Sequence, residues 1–311
     1  MHEALNTAGP FAAEIAKLFW IFAGVSAVVY VLVMLFLVYT LRRRAGRGST
    51  PPDAVPPRAL RAIGVSLAIT GVVLIGLALA DFFGNRALAS VPADALRIRI
   101  TAHQWWWELE YLDAIPAHRV MTANHLTIPV GRPVLLELES RDVIHSFWVP
   151  SLNGKKDLLP GYTTTLALLA SRAGRYTGEC AEFCGFQHAH MSIDVSALAP
   201  DEFARWLQGQ RAEAAEPLDD VQRRGREVYL SSSCRACHAI QGTISAARLG
   251  PDLTHLASRP RIAAGALSND PASLAAWISD PQSIKPGTRM PATQLAAADL
   301  SALTAYLGNL Q

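Results

Sequence analysis

Residues 174–197 read GRYTGECAEFCGFQHAHMSIDVSA and place two strand-like segments on either side of a loop that is crowded with sulfur and imidazole groups. GRYTGE and MSIDVSA have the composition and alternation of short strands. The twelve positions from Cys180 to Met191 hold two cysteines, two histidines, a glutamate and a methionine. This stretch therefore predicts two strands joined by a ligand-bearing loop.

Other segments between residues 96 and 197 also favour strands. LRIRITAH alternates with period two, and HLTIPV, PVLLELES and TTLALLAS are separated from one another by turns rich in glycine, proline or aspartate. Short strands at this spacing are typical of a small antiparallel sandwich or barrel. We predict such an all-β domain over residues 91–199.

Two apolar segments near the N-terminus, at about 18–40 and 63–83, explain the mean hydropathy of +0.19. Each carries about 20 residues, which is enough to cross a bilayer. The first has no basic region before it, and its apolar run is too long for a signal peptide. We predict a retained transmembrane hairpin within residues 1–90.

The connection between these segments is strongly basic and sets the orientation of the hairpin. It holds a single carboxylate, Asp53, against Arg42, Arg43, Arg44, Arg47, Arg58 and Arg61. The positive-inside rule then keeps the connection on the cytoplasmic side, so that both termini and everything after about residue 85 face a periplasm. Thiols survive there mainly as disulfides, haem thioethers or metal ligands. The net charge of +2 and the lack of a basic run interleaved with aromatics exclude a nucleic-acid partner.

The pattern changes from strands to helices after Pro200. Residues 200–217 predict a short polar helix followed by a linker, with Asp201 as its cap and Pro217 as a breaker. Residues 218–311 hold three helical segments, DDVQRRGREVYL, PASLAAWISD and AAADLSALTAYLGNL. We predict a separate all-α domain there.

CRACH at residues 234–238 has the CxxCH spacing of covalent haem attachment. The thiols of Cys234 and Cys237 are predicted to join the haem, and His238 to bind its iron. A zinc ribbon or a redox dithiol is the alternative, but neither a further cysteine pair of this spacing nor a thioredoxin-like pattern accompanies the motif.

The second axial ligand follows by elimination. After residue 210 the only methionine is Met290, and the only histidine besides His238 is His255. A thioether raises the iron potential and suits electron transfer, so Met290 is preferred and His255 is the alternative. KPGTRMP and GPDL at 250–253 resemble class I cytochromes c, as does a glycine at 225, on a first helix that could pack against Tyr306 of the last.

The other cysteine pair belongs to a set of donors with the spacing C-x3-C-x3-H-x2-M. These are Cys180, Cys184, His188 and Met191, and a sandwich could bring His145 to the same rim. Thiolate, thioether and imidazole together favour copper. A Cys180–Cys184 disulfide and a zinc site remain the alternatives.

CAEFCGFQHAHM, DVIHSFW and AHQWWWELEY resemble subunit II of haem-copper cytochrome c oxidase, in the caa3-type form with a fused cytochrome c. The match spans nearly the whole chain in the order membrane hairpin, cupredoxin domain and haem domain. The resemblance implies a multidomain membrane protein with a two-helix hairpin, an all-β cupredoxin-like sandwich and an all-α class I cytochrome c domain.

The resemblance also implies a binuclear copper site, CuA. Cys180 and Cys184 would bridge two ions, His145 and His188 would each cap one, and Met191 and the carbonyl of Glu182 would be weaker ligands. His190 is an alternative to His188.

Two further residues receive roles from the same resemblance. The Glu182 side chain would bind Mg²⁺ shared with subunit I, or else is a solvated carboxylate. Trp105 would be the electron-entry tryptophan between the donor haem and CuA, or else packs in the core or against subunit I.

The implied function is the electron-entry subunit of a terminal oxidase in a bacterial inner membrane. Electrons would pass from a cytochrome c or a cytochrome-containing complex to haem c, then to CuA, then to haem in subunit I, where oxygen is reduced. A CuA-containing nitric oxide reductase and a copper-handling assembly protein are the alternatives. The family usually carries a glutamate near the second span, and none stands here, so no proton-path residue is assigned.

Overall fold

A computed structural model describes residues 5–44, 56–87, 92 and 94–311. The chain forms two compact units, one of Ala13–Ser90 and one of Met1–Ala12 with Val91–Gln311. Arg47 and Asp53 of the basic connection lie outside the described residues.

Two long helices, α1 (Pro10–Arg44) and α2 (Pro57–Ala87), contain the two apolar segments. Both are long and apolar enough to cross a membrane. Each is longer than the predicted span, because bilayer thickness limits the apolar run whereas helical hydrogen bonding continues into the flanking residues.

Ten strands form a sandwich of two five-stranded sheets within the described residues. The strands are β1 (Leu96–His103), β2 (Trp106–Tyr111), β3 (Val120–Ala123), β4 (His125–Pro129), β5 (Val134–Ser140), β6 (His145–Trp148), β7 (Lys156–Leu158), β8 (Thr164–Leu168), β9 (Gly174–Cys180) and β10 (Ser192–Leu198). Their order is β3-β2-β1-β5-β8 in one sheet and β4-β10-β9-β6-β7 in the other. The predicted sandwich is confirmed.

The prediction of purely antiparallel pairing is wrong at two places. β1 pairs with β5 in parallel, and β4 pairs with β10 in parallel. Hydrophobic alternation reports which face of a strand is buried but carries no information about the direction of its neighbour, so the sequence pattern could not distinguish these pairs.

Strand β1 shows how alternation builds the core. Ile98 and Ile100 face inward and are fully buried. On the opposite face, Arg99 lies 3.2 Å from a carboxylate oxygen of Glu110 and 3.1 Å from one of Glu137. One face of the sheet therefore excludes water while the other carries a ladder of cross-strand ion pairs.

Helix α3 (Pro200–Gln210) packs on the sandwich through Trp206, whose ring centroid lies 5.1 Å from that of Tyr111. The helix is capped by Ala199, so the prediction of Asp201 as the cap is wrong. Pro200 fits the first helical position because an N–H at that position would have no acceptor within the helix, so proline loses no hydrogen bond there. Asp201 lies in the first turn, where its negative charge is favourable. Of the predicted helical linker at 200–217, only this first part is helical.

The helical domain (residues 219–311) contains α4 (Asp220–Ser231), α5 (Pro271–Ser279), α6 (Pro281–Ile284) and α7 (Ala297–Leu307), with a ribbon of β11 (Arg261–Ile262) and β12 (Leu267–Ser268). The carboxylate of Asp219 accepts a hydrogen bond from the Gln222 amide and starts α4. A Cβ at Gly225 would overlap the Ala302 carbonyl and lie 2.7 Å from Tyr306 Cβ. The predicted packing of Gly225 against Tyr306 is confirmed, and it requires glycine.

Candidate metal and haem sites

The two cysteines of the loop between β9 and β10 lie side by side. Cys180 ends β9, and its Sγ is 3.7 Å from Sγ of Cys184. Both thiols are buried and free, and this distance is far beyond the roughly 2.05 Å of a disulfide bond. The structure therefore places two adjacent thiols where a soft cation can contact both.

Histidine and methionine donors surround this pair. β6 pairs with β9 in a register that sets Phe147 opposite Cys180, and this brings Nδ1 of His145 to 3.8 Å from Cys180 Sγ. On the other side, Nδ1 of His188 lies 3.6 Å from Cys184 Sγ. The Sδ atom of Met191 lies 4.0 Å from the same sulfur. The structure thus brings together the donors that are far apart in the sequence.

The backbone of Glu182 contributes an oxygen to the same cluster, since its carbonyl lies 3.2 Å from Cys180 Sγ. Its side chain points elsewhere, with Oε2 3.7 Å from Lys155 Nζ and 44% of the side chain exposed. The carbonyl and the carboxylate are therefore separated, as two different roles would require.

Asp142 orients the buried imidazole of His145. Its Oδ1 lies 2.8 Å from His145 Nε2, which leaves Nδ1 directed at the sulfur. Burial opposes the charge on this imidazole, but the hydrogen bonds with Asp142 and Cys180 outweigh it and raise the pKa of His145. A carboxylate that fixes the far nitrogen is the usual support of a metal-binding histidine.

The two thiols have opposed acidities. The hydrogen bond between the two thiols lowers the pKa of Cys180, with a further contribution from His145. The resulting thiolate raises the pKa of Cys184. Bound cations would remove this opposition by neutralising both sulfurs, so the donor set fits soft metal ions such as copper.

His190 lies outside the sulfur cluster. Its Nδ1 is 2.8 Å from the Oε1 atom of Gln187, and its side chain is exposed. Of the two histidines in the loop, His188 is therefore the one beside the thiols.

Trp105 lies directly against the cysteine loop and is 6% exposed. Its indole Nε1–H donates to the Cys184 carbonyl at 2.9 Å, and Nε2 of Gln104 donates to the same oxygen at 2.7 Å. A Cβ at Gly185 would lie 3.1 Å from the indole ring. The ring is thus held against the backbone of the thiol loop, while Trp107 is the tryptophan that fills the core.

A second site surrounds the CxxCH motif. Cys234, Cys237, His238 and Met290 line a cavity of about 330 Å³. The Pro251 carbonyl lies 2.7 Å from His238 Nδ1, which leaves Nε2 free to bind a metal. A Cβ at Gly250 would lie 2.5 Å from the imidazole, so the ring needs glycine at that position.

Arg259 is a buried cation that no pattern in the sequence indicates. It lines an adjoining cavity together with His238 and Met290, and its Nε has no hydrogen-bond partner among the described residues. Burial lowers the pKa of Arg259 to about 10. A buried guanidinium with a free donor favours an anionic group in the cavity, and haem carries carboxylates, so the residues present fit haem.

His255 does not line either cavity described here. Its Nδ1 is 2.8 Å from the Gln311 carbonyl and its Nε2 is 3.2 Å from that of Ala212. Both ring nitrogens are engaged with backbone oxygens, which leaves Met290 as the second donor near the CxxCH motif.

Comparison with known proteins gives two family matches. Residues 116–198 match "Cytochrome C oxidase subunit II, periplasmic domain", and residues 222–311 match "Cytochrome c". Cytochrome c oxidase subunit 2 of Alkalihalophilus pseudofirmus is 38% identical over 299 residues, which cover 94% of this chain and 84% of that protein. The protein of the same name from Bacillus subtilis is 32% identical over 251 residues, covering 77% and 69%. A crystal structure of the periplasmic domain of subunit II of cytochrome oxidase from Bradyrhizobium japonicum covers 39% of this chain and 97% of its own, with 28% identity and a TM-score of 0.37.

These domains define a membrane-anchored redox protein in which a cupredoxin-like, copper-binding domain precedes a cytochrome c domain that binds haem c. The chain belongs to the cytochrome c oxidase subunit 2 family. It is therefore a subunit of a haem-copper terminal oxidase, an oxidoreductase, and other oxidase subunits are its partners. The predicted fold class and family are confirmed.

Proposed function

We propose that the chain is the electron-entry subunit of its oxidase. Electrons would pass from an external cytochrome c or cytochrome-containing complex to haem c, then to CuA, then to haem in subunit I, where oxygen is reduced to water. The observation that carries this proposal is the position of Trp105. Its side chain lines the cavity around the CxxCH motif and also donates a hydrogen bond to the carbonyl of Cys184.

In the helical domain, the thiols of Cys234 and Cys237 would attach the haem covalently, with His238 and Met290 as axial ligands. The Pro251 carbonyl holds the His238 ring in the tautomer that leaves Nε2 for the iron. Arg259 would pair with a haem carboxylate. A thioether opposite an imidazole favours a relatively high iron potential.

In the sandwich domain, Cys180 and Cys184 would bridge two coppers. His145 and His188 would each bind one ion, and Met191 and the Glu182 carbonyl would be weaker ligands. When bound, haem c and the copper pair would supply one-electron transfer chemistry, in which no bond needs to form or break. Two coppers that shared one electron would each change charge by half, so the loop around them would need little rearrangement.

Two finer assignments complete the proposal. The Glu182 carboxylate would bind Mg²⁺ with further ligands from subunit I, because one carboxylate is too few for a hard cation. The arginines that flank the two long helices would keep the connection cytoplasmic in a bacterial inner membrane, with the N-terminus and the redox domains on the periplasmic side.

The reaction is tested on the purified oxidase complex that contains this chain. With a reduced soluble cytochrome c as donor, we expect consumption of oxygen with water as the product. Turnover of nitric oxide without oxygen uptake would reassign the complex to the nitric oxide reductases.

Replacing Trp105 with phenylalanine is expected to slow transfer from haem c to CuA by about 10- to 100-fold, the usual cost of losing a group that supports a metal ligand. Phenylalanine keeps an aromatic ring but cannot donate to the Cys184 carbonyl. Time-resolved absorption after flash reduction of the haem measures the rate. The matched control is Trp206→Phe, which changes a tryptophan of α3 that packs on Tyr111, away from both sites. Equal rates in the Trp105 variant and the wild type would remove Trp105 from the path.

A further inference from the structure

Lys285 is a buried lysine between the sandwich and the helical domain. It is 2% exposed, although lysine is almost never buried without a partner. Its Nζ donates to the Trp105 carbonyl at 2.7 Å and to the Ala263 carbonyl at 3.0 Å. Burial lowers its pKa to about 7. The Trp105 contact joins the helical domain to the residue proposed to carry electrons.

The next residue along the chain also contacts the sandwich. The carbonyl of Pro286 accepts a hydrogen bond from Nε2 of Gln187 at 2.9 Å. Gln187 is buried in the cysteine loop, and its Oε1 lies 2.8 Å from His190 Nδ1. His190 therefore orients the side-chain amide of Gln187, which contacts the helical domain. This role of His190 does not involve metal binding.

Gly287 completes the contact. Its φ of +85° lies in the left-handed region that favours glycine. A Cβ there would lie 3.4 Å from Cη2 of the Trp105 ring. Three consecutive residues, 285–287, thus lie against the sandwich, and Met290 follows three positions after Gly287.

A second contact lies farther from the tryptophan. The guanidinium of Arg261 meets the carboxylate of Asp194 with N–O distances of 2.6 to 3.1 Å. This pair is partly exposed, with 30% of the Arg261 side chain accessible, so solvent weakens it. This ion pair joins the same two domains without contacting Trp105, so removing it can be compared with removing the Lys285 contact.

We propose that residues 285–287 form a docking loop that fixes the haem-binding domain against Trp105, and that Lys285 is a positioning residue for electron transfer between haem c and CuA. This inference rests on the proposed function. Trp105 is tied by its carbonyl to Lys285 and by its indole nitrogen to Cys184, so the two hydrogen bonds together set the ring between the sites. The haem domain would then work from one fixed position and not by swinging on its linker.

The test uses the whole oxidase complex with Lys285→Met, which keeps the length of the side chain but removes its donor. We expect transfer from haem c to CuA to slow by about tenfold or more, since the variant leaves the carbonyls of Trp105 and Ala263 without their buried donor. We also expect faster amide hydrogen exchange in residues 282–290, while the haem spectrum and the copper EPR signal stay unchanged. Lys156→Met is the matched control, because Lys156 is exposed on β7, and it should behave as the wild type.

Two further variants separate positioning from simple adhesion. Lys285→Gln retains an N–H donor and should give an intermediate rate, and Arg261→Met should slow transfer less than Lys285→Met. Wild-type transfer in Lys285→Met, or an equal loss in Lys285→Met and Arg261→Met, would overturn the inference. A wild-type complex that lacks the copper signal or the haem would instead refute the proposed function.

Discussion

Replacing Cys184 with serine is expected to abolish the copper signal of this protein while leaving its haem in place. Cys184 Sγ lies within 4.0 Å of Cys180 Sγ, His188 Nδ1 and Met191 Sδ. It is therefore close to most of the other proposed copper ligands. A hydroxyl is a harder and far less acidic ligand than a thiol and cannot bridge two soft ions in the same way. Metal analysis and EPR of the purified variant measure the loss.

The converse variant is the matched control. Cys237→Ser removes one of the two thiols of the CxxCH motif and should leave a haem joined through a single thioether, with the copper signal unchanged. If Cys184→Ser retains wild-type copper content and EPR, the proposed bridging role of Cys184 is wrong.

Replacing Met290 with alanine is expected to lower the midpoint potential of the haem by more than about 100 mV, a modest part of the roughly 0.8 V range over which axial ligands set haem potentials. Loss of the thioether leaves a position that water or a stronger donor can take, and both stabilise ferric iron. A redox titration followed by absorption at the haem bands measures the shift. The copper EPR signal should not change.

His255→Gln serves as the control for this variant. The amide can replace at least one of the polar contacts that His255 makes with the carbonyls of Gln311 and Ala212. It should leave the haem spectrum unchanged. If the spectrum changes in His255→Gln and not in Met290→Ala, His255 is the axial ligand.

The sequence contains most of the proposed copper site because its donors lie close together in the chain. The donors between Cys180 and Met191 all belong to one short loop, so their spacing alone predicts that the sulfurs and one imidazole lie close together. His145 is the exception, since it lies 35 residues before Cys180. The sequence predicts that a sandwich could bring His145 to the rim that holds the loop, and the pairing of β6 with β9 does so.

The sequence pattern does not predict contacts between residues that are far apart in the chain, and these contacts define most of the strands and buried side chains that the sequence leaves unassigned. β7 is only three residues long, and β3 and β6 are only four, which is too short for alternation to distinguish them from loops. Arg259 and Arg261 stand two positions apart in LASRPR, and only the fold shows that one is buried beside the haem cavity and the other pairs with Asp194. Lys285 reads as an ordinary surface lysine, because its acceptors on Trp105 and Ala263 are remote in the chain.

Quantitative metal analysis combined with EPR on the purified protein tests the presence of the two redox sites most directly. We expect two copper ions and one covalently bound haem for each chain, and a copper spectrum in which one unpaired electron is shared equally by two nuclei. A copper-free protein with a Cys180–Cys184 disulfide after reconstitution, or a spectrum of isolated single coppers, would contradict this expectation.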